Sequence, residues 1–166
     1  MPRAGRTPTA LHSARNVASG TLEGVPFLTF EAEWAVDEAA VVWEQFRRRQ
    51  VIVLDLPAAV APLDVRGRVA LDLRGMASDS PAFAKGWGVL ASDERQAHAI
   101  LTDEVRALVS ELPPKEATWQ FFGRDLVLGL TGYHGPDAVL RHTESARRLI
   151  RAVPAFVWSD ASGVAG

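Results

Sequence analysis

The chain has 166 residues, 48% of them hydrophobic and 23% charged, and its formal net charge is −2 at pH 7. This composition is typical of an ordinary globular domain, and so small a net charge gives no support to nucleic-acid binding or to attraction by an anionic membrane. The absence of cysteine excludes disulfides, thiolate nucleophiles and thiolate zinc sites. No apolar run approaches the roughly 18 residues of a membrane-spanning helix, so we expect a cytoplasmic protein without a membrane span.

Residues 1–20 are predicted to be a disordered basic tail. Their small and polar side chains bury too little apolar surface to offset the entropy of ordering, and their charged residues are scattered arginines. Residues 161–166 are predicted to be a frayed C-terminus. The residues between these ends, 21–160, are predicted to form a single α+β domain.

Two extended runs follow the tail. One face of the first run carries the apolar residues Leu28, Phe30, Ala32, Trp34 and Val36. The other face carries Thr29, Glu31 and Glu33, and this period of two is typical of a half-buried antiparallel strand. The second run ends in residues 47–57. In the resulting hairpin, Glu31 and Glu33 are expected to lie across from the arginines at 47–49, exposed to solvent.

The stretch 93–112 is predicted to be an amphipathic helix, because its apolar residues recur at helical spacing. Asp93 suits the N-cap, and Gln96 follows it at the distance of a capping box. Two prolines end the helix directly after residue 112. Thr102 is the irregular position, and it could begin a second helix that divides the stretch into two shorter pieces.

Two apolar runs at 119–122 and 126–130 flank a Gly-Arg-Asp turn and predict a hairpin. Pro136 suits the first position of a closing helix that reaches about residue 152. The order of elements predicts an α+β fold. It consists of a mostly antiparallel sheet of about 5–7 strands with two amphipathic helices, 93–112 and 136–152, on one face.

Four blocks of residues resemble an uncharacterised actinobacterial domain family. They are an entry hairpin at Ala14–Phe30, a strand at Val51–Pro57, a strand-helix block within Phe83–Arg106, and the ending Pro154–Trp158. The resemblance extends over about residues 14–160. It implies no known activity. It also implies transmembrane helices ahead of the domain in many members, and we expect this chain to lack them.

The segment 129–137 is the candidate ligand-binding site. A glycine-containing turn from a strand into a helix can present backbone amides to an anion. Thr131, Tyr133, His134 and Arg141 are the residues that could add side-chain contacts. The segment has no phosphate-loop motif, and its glycines are also explained as ordinary turn residues.

The sequence supports no catalytic residue, metal site or cofactor. His98, His134 and His142 match no familiar ligand spacing, and no serine lies in a hydrolase elbow. Glu31 and Glu33 could place two carboxylates together for acid–base chemistry. Exposure opposite the arginines is the alternative that their positions favour.

Two functions from different classes remain open. The first is a non-catalytic binding or protein-interaction module, which uses an exposed apolar face or edge of the sheet for a protein partner or for self-association. The alternative is a small enzyme or small-molecule-binding protein that uses the strand-helix turn at 129–137. The sequence does not decide whether the protein is an enzyme, and it predicts no nucleic-acid partner.

Overall fold

A computed structural model describes residues 11–34, 47–68 and 80–161. The elements in chain order are β1 (Leu11–Leu22), β2 (Val25–Trp34), β3 (Arg47–Gly67), α1 (Pro81–Gly86), β4 (Trp87–Ala91), α2 (Glu94–Ile100), α3 (Asp103–Val109), β5 (Ala117–Thr131), α4 (Pro136–Ala152) and α5 (Ala155–Ala161). All pairs between these strands are antiparallel, and the strands form one sheet. The predicted α+β fold is therefore confirmed. Within the described ranges, no helix has the length and apolar character needed to cross a membrane.

Strand β5 doubles back on itself. The amide of Thr131 donates to the carbonyl of Glu116 over 2.8 Å, and Thr118 Oγ1 donates to the carbonyl of Gly129 over 3.4 Å. A straight strand would hold residues 116 and 131 roughly 50 Å apart. Gly123, with φ +59°, lies between the two arms, in a conformation that glycine adopts without strain. The predicted hairpin at 119–130 is therefore confirmed.

Strand β3 bends around this hairpin. Gln50 pairs with Leu130 on the second arm of β5, and Arg66 pairs with Thr118 on the first arm. The N-terminal arm of β3 also pairs with β2, and its C-terminal arm pairs with β4. Across the sheet, the order of segments is β1, β2, the N-terminal arm of β3, the second arm of β5, the first arm of β5, the C-terminal arm of β3 and β4. The sheet thus has five strands, two of which contribute two arms each.

The helices cover one face of the sheet. Helix α3 contacts α4, α2 contacts α5, and α2, α4 and α5 all contact β3. Their apolar side chains join those of one sheet face in a single core, in which Ile52, Trp119 and Leu128 are fully buried. Each such side chain stabilises the fold by roughly 1.5–3 kcal/mol relative to exposure. The second predicted helix is confirmed as α4, whose stripe of Val139, Thr143, Ala146 and Ile150 is buried.

Strand β2 turns its more polar face toward the helices. Thr29 pairs with the core residue Ile52, and Phe27 packs against the same core. Leu28, on the opposite face, is 38% exposed. The polar face is tolerated because the Thr29 hydroxyl donates to the carbonyl of Val51 over 2.9 Å and is not left unpaired.

The predicted tail is wrong for residues 11–20, which belong to β1 and pair with β2. Strand β1 is held by main-chain hydrogen bonds, which do not require apolar side chains. Asn16, with φ +49°, lies at a register shift where the strand bulges. Residues 1–10 and 162–166, and the predictions made for them, lie outside the described residues.

The predicted helix at 93–112 is divided into α2 and α3. Thr102 caps α3, because its Oγ1 accepts from the amide of Val105 over 3.3 Å. Asp93 caps α2 as expected, accepting from the amide of Gln96 over 3.0 Å. The Gln96 side chain does not complete a capping box, however. Its Oε1 accepts from the amide of Ala61 over 2.7 Å and so ties α2 to the bend of β3.

Candidate functional site

The predicted turn at 129–137 is docked on the sheet by a chain of hydrogen bonds. The amide of His134 donates to Gln50 Oε1 over 3.4 Å, and Gln50 Nε2 donates to Thr29 Oγ1 over 2.8 Å. Gln50 and Thr29 are buried, so each satisfies the other in the interior. This segment leads directly into α4, whose N-cap Gly135 provides no side-chain cap.

Three of the four predicted ligand-binding residues lie in the turn before α4 and the fourth lies within α4, and their polar atoms are partly used within the protein. His134 Nε2 lies 3.1 Å from the carbonyl of Thr131, and Thr131 Oγ1 donates to a carbonyl over 3.5 Å. Arg48 lies over the ring of Tyr133, 5.7 Å from its centroid. Arg141 is exposed on the first turns of α4. A binding role for these four residues stays a prediction.

The histidines at the start of α4 form a pair. The rings of His134 and His142 meet edge to face, with their centroids 5.2 Å apart. Burial lowers the pKa of His142, and His134 and Arg141 lower it further. Within the described ranges, no group of three potential ligands is placed to hold a metal ion.

The carboxylate of Glu33 is buried, in contrast to the predicted exposure. Its oxygens lie 3.5 Å from Arg15 Nη2 and 3.6 Å from Arg48 Nε, and Ser13 donates to it over 3.3 Å. Glu33 pairs with Arg48 across the strands, as predicted. The two arginines make burial of this carboxylate possible, and Glu33 is therefore explained by its ion pairs.

A groove of about 660 Å³ lies at the end of the sheet where β3 bends. It is formed by side chains of β3, β4 and β5 and by the start of α2, and we call it the Asp64 groove. Its lining residues are Pro62, Leu63, Asp64, Leu90, Ala91, Ser92, Glu94, Gln120, Phe121, Phe122 and Val127. Phe122 is 65% exposed, which is unusual for a large aromatic side chain.

The fold places one residue from each of the three strands of the groove in a row across the sheet. Asp64 pairs with Leu90 on one side and with Gln120 on the other. Side chains of paired antiparallel residues lie on the same face, so these three lie on the face opposite the core residue Val65. This is the sheet face on which the described part of the chain places no helix.

Asp64 is the most unusual group in the groove. Its Oδ2 lies 3.4 Å from Arg66 Nη2, whereas its Oδ1 is buried without a hydrogen-bond donor. Burial raises the pKa of the Asp64 carboxyl above its ordinary value, although Arg66, Arg49 and the Gln120 side chain act in the opposite direction. A perturbed carboxyl within a concave groove is a typical feature of a binding site.

Sequence reasoning missed this groove. Asp64, Leu90 and Gln120 belong to three different strands, and none lies in a recognisable motif. The available signal was the alternation at 119–122, in which Gln120 and Phe122 occupy the face opposite Trp119 and Phe121. That alternation identifies an exposed face but does not reveal a concave one.

No protein-family model matches the sequence, and no curated protein matches it. Among solved structures, the chain is similar to the crystal structure of the mycobacterial trehalose monomycolate transport factor A, TtfA. The TM-score is 0.55 and the sequence identity is 15%, and the match covers 85% of this chain and 74% of that chain. At this level of identity, the similarity shows that the two chains share a fold.

Proposed function

We propose that the protein is a non-catalytic binding protein and that a small apolar ligand occupies the Asp64 groove. The observation that carries this proposal is the groove itself, a concave space of about 660 Å³ where β3, β4 and β5 meet the start of α2. Binding sites for small molecules are typically clefts of about 300–1,000 Å³ with mostly apolar walls. Leu90, Phe122 and Val127 provide such walls.

The size of the groove favours a small molecule over a broad protein surface. A stable protein–protein interface needs more than about 1,000 Å² of buried area with good complementarity. The Asp64 groove is local and concave, and the exposed ring of Phe122 lies among its lining residues. An exposed aromatic ring beside a groove can fold over an apolar guest and remove further apolar surface from water.

The groove has no arrangement suited to nucleophilic catalysis. Ser92 is the hydroxyl-bearing residue of its described lining, and its Oγ donates to the carbonyl of Pro62 over 3.3 Å. An activated serine would instead donate to a general base. The described lining contains no histidine, lysine or cysteine, and its titratable side chains are the carboxylates of Asp64 and Glu94.

The fold similarity supports a binding role. TtfA is named as a transport factor for trehalose monomycolate, and a binding role for this chain is in keeping with that name. The cargo of this chain follows from the chemistry of its own groove.

Nile red, a neutral apolar dye that fluoresces strongly when it leaves water, tests this proposal. Wild-type protein is expected to enhance its fluorescence, and the variant Val127→Trp, which fills the groove, is expected to lose most of that enhancement. The matched control is Val17→Trp, at a position that is 63% exposed on β1. Circular dichroism establishes that both variants are folded. Equal enhancement by wild type and Val127→Trp, or none by wild type, would contradict the proposal.

A further inference from the structure

We infer that the Asp64 groove, if it binds apolar ligands as proposed above, selects those that carry a positively charged amine. The inference rests on the sign of the charges that line the groove. Its two ionisable lining residues are Asp64 and Glu94, and both are acids. No described lysine, arginine or histidine contributes to the lining, although Arg66 and Arg49 lie close enough to Asp64 to lower its pKa and offset part of its charge.

The carboxylate of Asp64 retains unused capacity as an acceptor. Arg66 approaches one of its oxygens at 3.4 Å, which is longer than a good charge-assisted hydrogen bond. The other oxygen has no donor in good hydrogen-bonding geometry, although the Gln120 side chain lies close to the carboxylate, and the Asp64 side chain as a whole remains 25% exposed. An ammonium group in the groove is attracted by the whole carboxylate, so it stabilises the ionised form without requiring a bond to the buried oxygen.

Glu94 adds a second attraction at the edge of the groove. It is the first residue of α2 and is exposed, so its charge is screened by solvent more than that of Asp64. An organic anion would meet unfavourable charge from both carboxylates, whereas a neutral molecule would gain apolar contacts alone. The expected order of affinity is therefore amine, then alcohol, then carboxylate.

Three probes with the same eight-carbon chain test this order at pH 7: octylammonium, octan-1-ol and octanoate. Binding is followed by the amide chemical shifts of Leu90, Ser92 and Gln120 in isotope-labelled protein. Octylammonium is expected to bind about fivefold or more tightly than octan-1-ol, the effect of a single partly screened ion pair. Octanoate is expected to bind more weakly than the alcohol.

Two variants assign the preference to the lining carboxylates. Asp64→Asn is expected to bring the affinity for octylammonium close to that for octan-1-ol and to leave the alcohol unaffected. Glu94→Gln, at an exposed position that does not endanger the fold, is expected to reduce the preference in part. Asp103→Asn, on a side chain that is 96% exposed on α3, is the matched control and is expected to keep it.

The outcomes separate this inference from the proposed function. If all three probes shift the groove residues with equal affinity, the amine preference is overturned while ligand binding in the groove stands. A preference that survives in both Asp64→Asn and Glu94→Gln would also overturn it. If no probe shifts the groove residues, both the inference and the proposed function fail.

Discussion

Arg147 Nη1 lies 2.8 Å from Glu23 Oε2, so the last turns of α4 are tied to the tight turn between β1 and β2. The same guanidinium holds Glu144 through two bonds of 2.7 Å, and Arg151 reaches Glu23 at 3.6 Å. Glu23 itself has φ +46°, a conformation that non-glycine residues seldom adopt. The ion pair therefore fixes a strained turn against a helix and, together with the apolar contacts of β2, attaches β1 and β2 to the helical layer at this end.

We predict that Arg147→Met destabilises the protein more than Arg148→Met does. The Arg147 side chain is 6% exposed and joins α4 to the turn between β1 and β2, whereas Arg148 is 49% exposed and pairs with Glu111. Methionine keeps much of the apolar stem of arginine, so the comparison isolates the loss of the charged group. Urea unfolding of both variants measures the difference. Equal midpoints would show that the pair with Glu23 adds nothing to stability.

The ion pairs of Arg147 also make the stability of the protein depend on pH. The hydrogen bond from Arg147 holds the pKa of Glu144 below its ordinary value. A carboxylate with a lowered pKa in the folded state stabilises the fold above its unfolded pKa, and this contribution disappears as the pH falls through the folded value. The loss of stability of wild type below about pH 4.5 is therefore expected to be steeper than that of Arg147→Met. Parallel acid profiles would contradict this assignment.

We predict that residue 129 must be glycine, because the side chains opposite it in the β5 hairpin leave no room for a Cβ atom. A Cβ atom at this position would lie 2.7 Å from Thr118 Oγ1 and 3.4 Å from Arg49 Nη1, where those two side chains bond to each other over 3.1 Å. Gly129→Ala is therefore expected to lower the free energy of unfolding by about 1–3 kcal/mol, the usual cost of overpacking.

The double variant Gly129→Ala with Thr118→Ala tests the geometry of this hairpin. Removing the Thr118 hydroxyl removes the closest clash, so the double variant is expected to be more stable than the sum of the two single effects predicts. Additive effects would mean that the two arms of β5 do not place residues 118 and 129 face to face.

The parts of the fold that could be predicted depend on local signals. The turn glycine between two apolar runs predicted the β5 hairpin, and the spacing of apolar residues predicted α4. Strand β1 could not be found in this way, because its side chains are mostly exposed and its stability comes from pairing with β2. Main-chain pairing leaves little trace in composition.

The Asp64 groove could not be predicted because it depends on long-range geometry. Asp64 and Gln120 are brought together only because β3 bends around the β5 hairpin. The face that β2 turns toward the core could not be predicted from the sequence either. The apolar alternation of β2 favours burial of the Leu28 face, but the register with β3 places Thr29 beside the core residue Ile52 and so decides which face is buried.

Thr102 is predicted to act as the cap that separates α2 from α3. Its hydroxyl accepts from the amide of Val105, one of the donors that the start of a helix leaves unpaired. Thr102→Ala is expected to lower the free energy of unfolding by about 1 kcal/mol, whereas Thr102→Ser retains the acceptor and most of the stability. Chemical denaturation of the two variants provides the comparison. If serine costs as much as alanine, the methyl group and not the cap explains the effect.

His142 is predicted to make the protein less stable in mild acid. Its pKa is lowered in the fold, chiefly by burial and then by His134 and Arg141, so the unfolded chain binds a proton at a higher pH than the folded chain does. As the pH falls below about 6.5, the ordinary pKa of histidine, protonation of the unfolded state draws the equilibrium toward unfolding, until the pH passes the folded value. The variant His142→Gln removes this contribution and is expected to lose less stability than wild type between pH 7.5 and 5.5. Melting temperatures measured at both pH values test this, and His98→Gln, which keeps His142, is expected to retain the sensitivity that His142 confers. If His142→Gln loses as much stability as wild type between these pH values, the effect arises from other groups.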